Sequence, residues 1–363
     1  MKNTFGQSVS VTLFGESHGE EIGVVIDGLA PGIDVDREKI EYKLSKRRPK
    51  GSISTGRCEP DDFRIVSGVY DGKTTGTPIC ILIPNTDTRS KDYEKSQNLV
   101  RPGHADYSAE CKYHGYQDKR GGGHFSGRIT APIVAAGAIA LGALEKKGIY
   151  IATHIKEIAG IKDREFEVLE EDITRLSKSD FPVLSEDSGE KMKEEILSAS
   201  KDGDSVGGVL ETVVTGLPQG LGEPWFDSVE SVLSHILFSI PAIKGVEFGK
   251  GFSFASMRGS LANDSFRLEE GKIITETNNN GGINGGITNG MPLLFSCVVK
   301  PTPSIYKEQK TVDIAKKENA NLVVSGRHDP CIVHRVSPVV DATVALALCD
   351  ILSQRFGTDW LAN

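Results

Sequence analysis

The sequence predicts an α+β protein built from two pseudo-symmetric tandem halves, in which two β layers enclose a pair of buried central helices. Three observations lead there. The segment GESHGEEIGVVIDGLAPG (15–32) lines up with GDSVGGVLETVVTGLPQG (203–220) at one constant offset, sharing glycines, a serine and a Gly-Leu turn. Further on, RITAPIVAAGAIALGALE (128–145) lines up with RVSPVVDATVALALCDIL (335–352), each with an arginine and a hydroxyl residue ahead of an apolar run. The first of these runs has small or apolar residues on every side, which fits a helix buried on all faces. A unit repeated in this way packs its layers around one shared core. A single domain over 1–363 is therefore expected, with halves of about 1–150 and 203–357 and a connecting segment over 151–202. Val206 stands in the second copy where the first has His18, so the copies are chemically unequal. One active site per chain, drawing residues from both halves, is the expectation.

Composition narrows the partners. With 363 residues, 38% of them hydrophobic, the chain can bury a sizeable core. A formal net charge of -8 argues against nucleic acid and against an anionic membrane, so the arginines are expected to serve local sites and the partner to be a small anion. No apolar run is read as reaching the ~20 residues that cross a bilayer. The start MKNTFGQSVSV lacks the basic and apolar regions of a signal peptide, and a cytoplasmic protein is expected. The six cysteines are widely spaced with no C-x-x-C pair, which predicts free thiols and no metal ligands.

Taken in order, SVSVTLF (8–14) alternates with period two and predicts a strand running into GESHG (15–19), which presents His18 between Ser17 and Gly19. IGVVIDG (22–28) resumes β structure. Asp36 caps a helix over DREKIEYKLSKRR, with Ile40 and Leu44 on one face and Lys46, Arg47 and Arg48 at its C-terminal end, where cations are favourable in any case. GSISTG (51–56) reads as a mobile cover. DFRIVSGVY and TPICILIP form a hairpin around Asp71 and Gly72. Lys146, Lys147 and Gly148 end the buried helix, IYIATHIKEIAGI reads as a strand, and the charged segment 162–201 carries a surface helix with Met192, Ile196 and Leu197. FDSVESVLSHILFS (226–239) predicts an amphipathic helix capped by Asp227, its His235 a packing residue, and IPAIKGVEFGKGF and PLLFSCVVK are strands.

Chemistry concentrates in three places. RPGHADYSAECKYHGYQDKRGGGHFSGRIT (101–130) holds His104, His114 and His124 with Arg101, Arg120 and Arg128, then leads from three glycines to Ser126 and Thr130, either of which can cap the buried helix. Glycine lets a backbone approach a ligand, helix starts attract anions, and imidazoles exchange protons near neutral pH. A polar loop is ordinarily solvated surface; the density of groups here favours an anion pocket. NNNGGINGGITNG (278–290) reads as a flexible loop or as backbone wrapped around a flat or phosphorylated cofactor, without the strand, G-x-G-x-x-G, helix order of a dinucleotide fold. SGRHDPC (325–331) joins Arg327, His328 and Asp329, a guanidinium for a carboxylate or phosphate beside a carboxylate that can act as base.

In their common order, GESHG, RPGHADY with RGGG-x-x-S-x-R, NNNGGINGGI, KPTPSI and GRHDPC resemble the chorismate synthase family over almost the whole chain. The resemblance implies a carbon–oxygen lyase that converts 5-enolpyruvylshikimate 3-phosphate to chorismate and phosphate by 1,4-elimination, the last step of the shikimate pathway. It implies reduced FMN as cofactor, no net redox change, and a homotetramer with a β-α-β sandwich fold. By the same resemblance His18 assists phosphate departure, His104 protonates or holds the reduced flavin, and Asp329 acts with flavin N5 in removing the ring proton. Arg47, Arg48 and Arg128 match substrate arginines, and Arg47 also a reduced-nucleotide (NADP) contact. His124, Phe125, Ser126, Ala242, Gly285, Lys300, Pro301, Thr302, Pro303, Ser304 and Arg327 fall where the family contacts FMN.

The chain departs from the family pattern at His124, Phe125 and Ile129, where many members carry arginine, serine and glutamate. It departs also at Ile53, where a second arginine is common, and at Pro241, where asparagine is common. With no fused reductase domain and no Rossmann fingerprint, an external flavin reductant is expected. Two other readings are a phosphate-handling enzyme without flavin and a glycine-rich polyanion-binding module. Net acidity and the lack of aromatics among the basic segments oppose the second.

Overall fold

In the computed structural model, which describes residues 2–56, 59–87, 98–324, 326 and 328–362, the first half forms β1 (Thr4–Phe5), β2 (Ser10–Gly15), β3 (Glu21–Asp27), α1 (Arg37–Arg47), β4 (Arg64–Ser67), β5 (Ile79–Pro84), α2 (Asp106–Tyr113) and α3 (Thr130–Lys146). Then follow β6 (Tyr150–Ile158), β7 (Ile161–Lys162), α4 (Leu169–Lys178), α5 (Glu186–Lys201), β8 (Gly208–Thr215), α6 (Val229–Leu237), β9 (Ile243–Phe248), β10 (Leu293–Val299) and α7 (Val333–Phe356). One sheet has the order β1-β2-β3-β5-β4 and the other β9-β10-β8-β6-β7. All neighbouring strands are antiparallel. Chain order is the same in each layer: β2, β3, α1, β4, β5, α3 in one and β6, β8, α6, β9, β10, α7 in the other.

The helices fill the space between the sheets, giving a β-α-β sandwich. In β3, Ile22, Val24 and Ile26 are buried, and in β5 so are Ile79, Ile81 and Ile83, the period-two face that meets α3. On the other side α7 lies on β6 and β8, and α3 and α7 pack on each other. That crossing is tight. A Cβ on Gly137 would sit 2.3 Å from the Cβ of Ala342, so only glycine permits the approach. The sequence reading finds no apolar run of bilayer length, yet 127–146 and 333–356 have the length and hydropathy of membrane spans. Those windows are 89% and 100% buried inside the fold, which explains their composition as core.

Several local expectations change. β6 lies in the stretch read as a connection, yet it is an inner strand of the second sheet. Its apolar residues do not alternate because both faces are covered, by α7 and by α4. Asp36 does cap α1, accepting from the Lys39 amide at 3.1 Å, but α6 is capped by Ser228, whose Oγ accepts from the Ser231 amide at 3.1 Å, and not by Asp227. Ser126 and Thr130 act on the turn ahead of α3: Ser126 Oγ accepts from the Arg128 amide, and Thr130 Oγ1 donates to the Gly127 carbonyl.

The glycine-rich tract is not loose. The Asp264 carboxylate accepts from the amides of Asn279 and Asn280, Asn278 Oδ1 accepts from Gly282, and a ribbon pairs Ile283–Asn284 with Ile287–Thr288. The asparagines that suggested flexibility are the groups that fix it.

Candidate active site

α3 and α7 begin at the same place, and their first turns form one wall of a cavity of about 1000 Å3. Arg128, Ile129 and Thr130 come from one helix entry, and Ile332, Arg335 and Val336 from the other. The remaining walls come from the ends of β2 and α1 and from the segments near 101–105, 122–127, 240–244 and 300–303. Of the residues expected from the sequence, His18, His104, Asp329, Arg47, Arg48, Arg128, His124, Phe125, Ser126, Ala242, Lys300, Thr302 and Pro303 all line it. Pro301 and Ser304 belong to the same turn as Thr302 but do not line the cavity. Gly285 lies elsewhere, in the ribbon whose Gly286 carbonyl accepts from the Val229 amide. Arg327 is outside the described residues.

The arginines converge on one carboxylate. Asp61 is buried, and its side chain meets Arg47 Nη2 at 3.2 Å, Arg48 Nε at 3.4 Å and the Arg128 guanidinium. Arg128 also donates to Asn85 Oδ1 at 2.9 Å and to the Pro84 carbonyl at 3.0 Å. Burial pushes the Asp61 carboxyl up, but Arg47 and Arg128 outweigh it and hold the group below the usual carboxylate range. Burial also pushes the Arg47 guanidinium down to about 10. Three guanidinium groups held around one fully desolvated carboxylate form a preorganised anion site.

Asp329 is fixed from two sides. Its Oδ1 accepts from the Thr55 amide at 2.8 Å and its Oδ2 meets the Arg335 guanidinium, while Arg335 Nε donates to the Arg47 carbonyl at 2.9 Å. Segment 51–56 is therefore tied to the cavity wall and is not a free cover: Ser54 Oγ also lies 3.0 Å from His334 Nε2.

Each histidine has a defined place. His18 is buried beside Ser17, Nδ1 to Oγ 3.2 Å, and its ring fills the space above Gly121. A Cβ there would come within 2.3 Å of His18 Cε1, and Gly121 has φ +62°, so this glycine is what admits the ring. His104 Nδ1 faces Asp106 Oδ1 at 2.6 Å, and Arg101 clamps that carboxylate with two contacts of 2.7 Å. Although burial pushes the Asp106 carboxyl up, Arg101 and His104 hold it well below the ordinary range, and Nε2 is the nitrogen of His104 left for a ligand. His124 Nδ1 donates to the Gly15 carbonyl at 2.8 Å. Ala242 takes φ +77°, a strained value for a residue with a Cβ, and its carbonyl accepts from the Lys300 amide at 3.0 Å.

Sequence reasoning missed Asp61, Asp106, Thr55 and Arg335, and it treated His235 as packing alone. The His235 ring does pack on Phe5, at 5.4 Å, and it also lines the cavity. A signal for Arg335 was present, since the aligned repeats equate it with Arg128. The described cavity lining holds eight cations, Lys2, Arg47, Arg48, Arg101, Arg128, Lys244, Lys300 and Arg335, and two carboxylates, Glu59 and Asp329, with Asp61 and Asp106 paired to four of the cations from outside that lining. In a chain of net charge -8, this concentrates positive charge where a ligand enters.

Buried arginines, two placed imidazoles and one positioned carboxylate inside a β-α-β sandwich define an enzyme that takes a small multiply charged anion and moves a proton. The family model described as chorismate synthase matches residues 9–352, and the chain belongs to the chorismate synthase family. It is 47% identical over 350 residues to a chorismate synthase of Thermococcus kodakarensis, covering 96% of this chain and 97% of that one. It is 48% identical over 348 residues to one of Pyrococcus abyssi, covering 96% of each. A solved structure titled "Crystal Structure of Chorismate Synthase" superposes with a TM-score of 0.77 at 28% identity, covering 98% of this chain and 94% of that one. The chain is thus an enzyme of the last step of the shikimate pathway, a lyase that forms chorismate.

Proposed function

We propose that the 1,4-elimination of phosphate from 5-enolpyruvylshikimate 3-phosphate takes place in the cavity between the two helix starts, with the roles expected from the family motifs. The observation that carries this reading is the convergence of His18, His104, Asp329 and the three substrate arginines on one cavity. Arg47, Arg48 and Arg128 neutralise and orient the substrate's anionic groups, which exchange with the Asp61 carboxylate as partners. His18 donates a proton to the departing phosphate as its C–O bond breaks, and Asp329 accepts the ring proton on a carboxylate oxygen. His104, held by Asp106 through Nδ1, presents Nε2 to the cavity, where it would protonate or hold the reduced flavin.

A volume of about 1000 Å3 is at the upper end for one small ligand, and cations, an aromatic wall at Phe125 and the cavity-lining turn at Ala242 fit a phosphorylated flat group beside the substrate. His124, Phe125, Ser126, Ala242, Lys300, Thr302 and Pro303 would hold FMN, with Gly285, Pro301, Ser304 and Arg327 added by the family pattern. When bound, reduced FMN supplies electron density to the breaking C–O bond. Arg47 is the reduced-nucleotide (NADP) contact, and reducing equivalents come from an external reductant.

The exposed Trp225, Phe226, Phe252, Leu261, Phe266, Leu268 and Ile273 all lie in the second half and support a homotetramer, since large apolar side chains in contact with water favour association. The enzyme is cytoplasmic. The test is anaerobic turnover of 5-enolpyruvylshikimate 3-phosphate with reduced FMN, following chorismate and phosphate together. Chorismate in equal amount to phosphate is expected; phosphate release without chorismate, or turnover without FMN, would favour a flavin-independent phosphatase.

A further inference from the structure

A second cavity, of about 270 Å3, lies between α1, α4, β6 and α7. It shares no described lining residue with the active cavity, because the two occupy opposite faces of α7: Ile332, Arg335 and Val336 turn one way, His334, Ser337 and Asp341 the other.

Its chemistry is divided. Ile151, Ile173, Leu176 and Pro338 supply apolar wall, and Lys43, Thr153, His334 and Asp341 supply polar groups. Two of these have capacity that the protein does not use. His334 is buried, its Nε2 is taken by Ser54, and its Nδ1 has no hydrogen-bond partner among the described residues. Burial and the neighbouring Arg335 push this imidazole down to about 4, so it is neutral at physiological pH, and a buried polar nitrogen without a partner is a disfavoured arrangement unless a ligand supplies one. Lys43 lies in a largely covered position, and among the described residues its one ion pair, to Asp341 Oδ2, is at 3.7 Å, beyond hydrogen-bond length. An ammonium carries three donors. Asp341 Oδ1 is satisfied by Thr153 Oγ1 at 2.7 Å, and burial pushes that carboxyl up towards its neutral form, which weakens its claim on Lys43. Lys46 and Glu145, the other charged groups nearby, are engaged with Asp180 and Lys39.

We propose that this cavity is a binding site for a small carboxylate with a compact apolar body, its anionic end taken up by Lys43 and the unpaired His334 nitrogen and its body against Ile151, Ile173 and Leu176. The same His334 ring reaches the active cavity's wall, since Ser54 precedes Thr55, whose amide holds Asp329. The occupied site is therefore one hydrogen bond away from the segment that positions that carboxylate.

Benzoate serves as the probe, titrated by calorimetry into the full chain with benzamide as its uncharged isostere. Saturable binding of benzoate is expected, at least tenfold tighter than benzamide. It should weaken at least tenfold in Lys43→Met and disappear in Ile173→Trp, which fills the cavity from α4 without removing a charge. Both variants should still form chorismate, which checks their fold. Arg48→Ala, which removes a guanidinium from the active cavity, should leave benzoate binding unchanged. No binding, equal affinity for benzamide, or binding lost in Arg48→Ala but kept in Lys43→Met would each overturn the assignment.

Discussion

Replacing Asp61 with Asn tests the anion site without touching any arginine. The side chain of Asp61 is 0% exposed, those of Arg128 and Arg47 are 3% and 8% exposed, and the variant leaves these cations facing a neutral amide. Removing one partner of a buried ion pair costs about 3–5 kcal/mol, because the remaining charge stays desolvated. With an unfolding entropy of roughly 2.1 cal/mol/K per residue over the 363 residues, that predicts a melting temperature lower by about 4–7 °C.

The loss should be repaired from outside. Inorganic phosphate at constant ionic strength can enter the vacated position, so it should raise the melting temperature of Asp61→Asn more than that of the parent. The pH dependence has a definite sign. A carboxyl held below its unfolded value contributes stability that is present above the unfolded pKa and lost as pH falls through the folded one. The parent should therefore lose stability in acid relative to the variant. Scanning calorimetry with and without phosphate measures all three. A variant melting within about 1 °C of the parent, or equal stabilisation of both by phosphate, would refute the view that Asp61 stands where a ligand anion binds.

Other predictions concern the imidazoles and the cofactor. His18→Ala and His104→Ala should each lower turnover by about a hundredfold or more with the fold intact, with exposed His114→Ala as the unchanged control; near-normal rates would remove the acid–base assignment. Gly121→Ala, whose Cβ would collide with His18, should cost turnover on the order of a hundredfold while histidine and arginines remain, as a displaced group does, and unimpaired turnover would refute the packing argument. His154 lies between Asp163 and Glu211, whose carboxylates outweigh burial and raise its pKa. Its stabilisation is complete below the unfolded value of about 6.5 and is lost as pH rises through the raised folded value, so the stability gap between parent and His154→Gln should narrow with rising pH, and a constant gap in pH-dependent melting would count against it. On the proposed reading FMN and the phosphorylated substrate share one cavity and should tighten each other's binding by ~1–3 kcal/mol, a five- to 150-fold change; equal FMN dissociation constants with and without substrate would show the sites to be independent.

Much of this was legible locally, and what was not depended on distant segments meeting. Alternation in β3 and β5 and the all-round apolar run of α3 fix their elements from neighbours in sequence. β6 escaped its proper place because burial on both faces erases alternation. His18, His104 and the arginines announced themselves by glycine and proline flanks, whereas nothing around Asp61 marks it. Its partners come from α1 and from Arg128, which is 67 residues away, and Thr55 meets Asp329 across 274 residues.

The repeats also bear on why the proposed chemistry calls on one carboxylate and not two. Each long helix is entered by an arginine that holds an aspartate, Arg128 with Asp61 and Arg335 with Asp329. Asp61 is sealed from solvent and shared by three guanidinium groups, which hold its carboxyl below the usual carboxylate range and occupy its oxygens until a ligand anion takes over those partners. Among the described residues Asp329 meets one guanidinium and one amide; it remains 14% exposed and lines the cavity, which suits the proton acceptor proposed for it. The same local pair thus frames a buried arginine cluster in one half and, on the proposed reading, supplies the proton acceptor in the other, with Val206 in place of His18 completing the inequality.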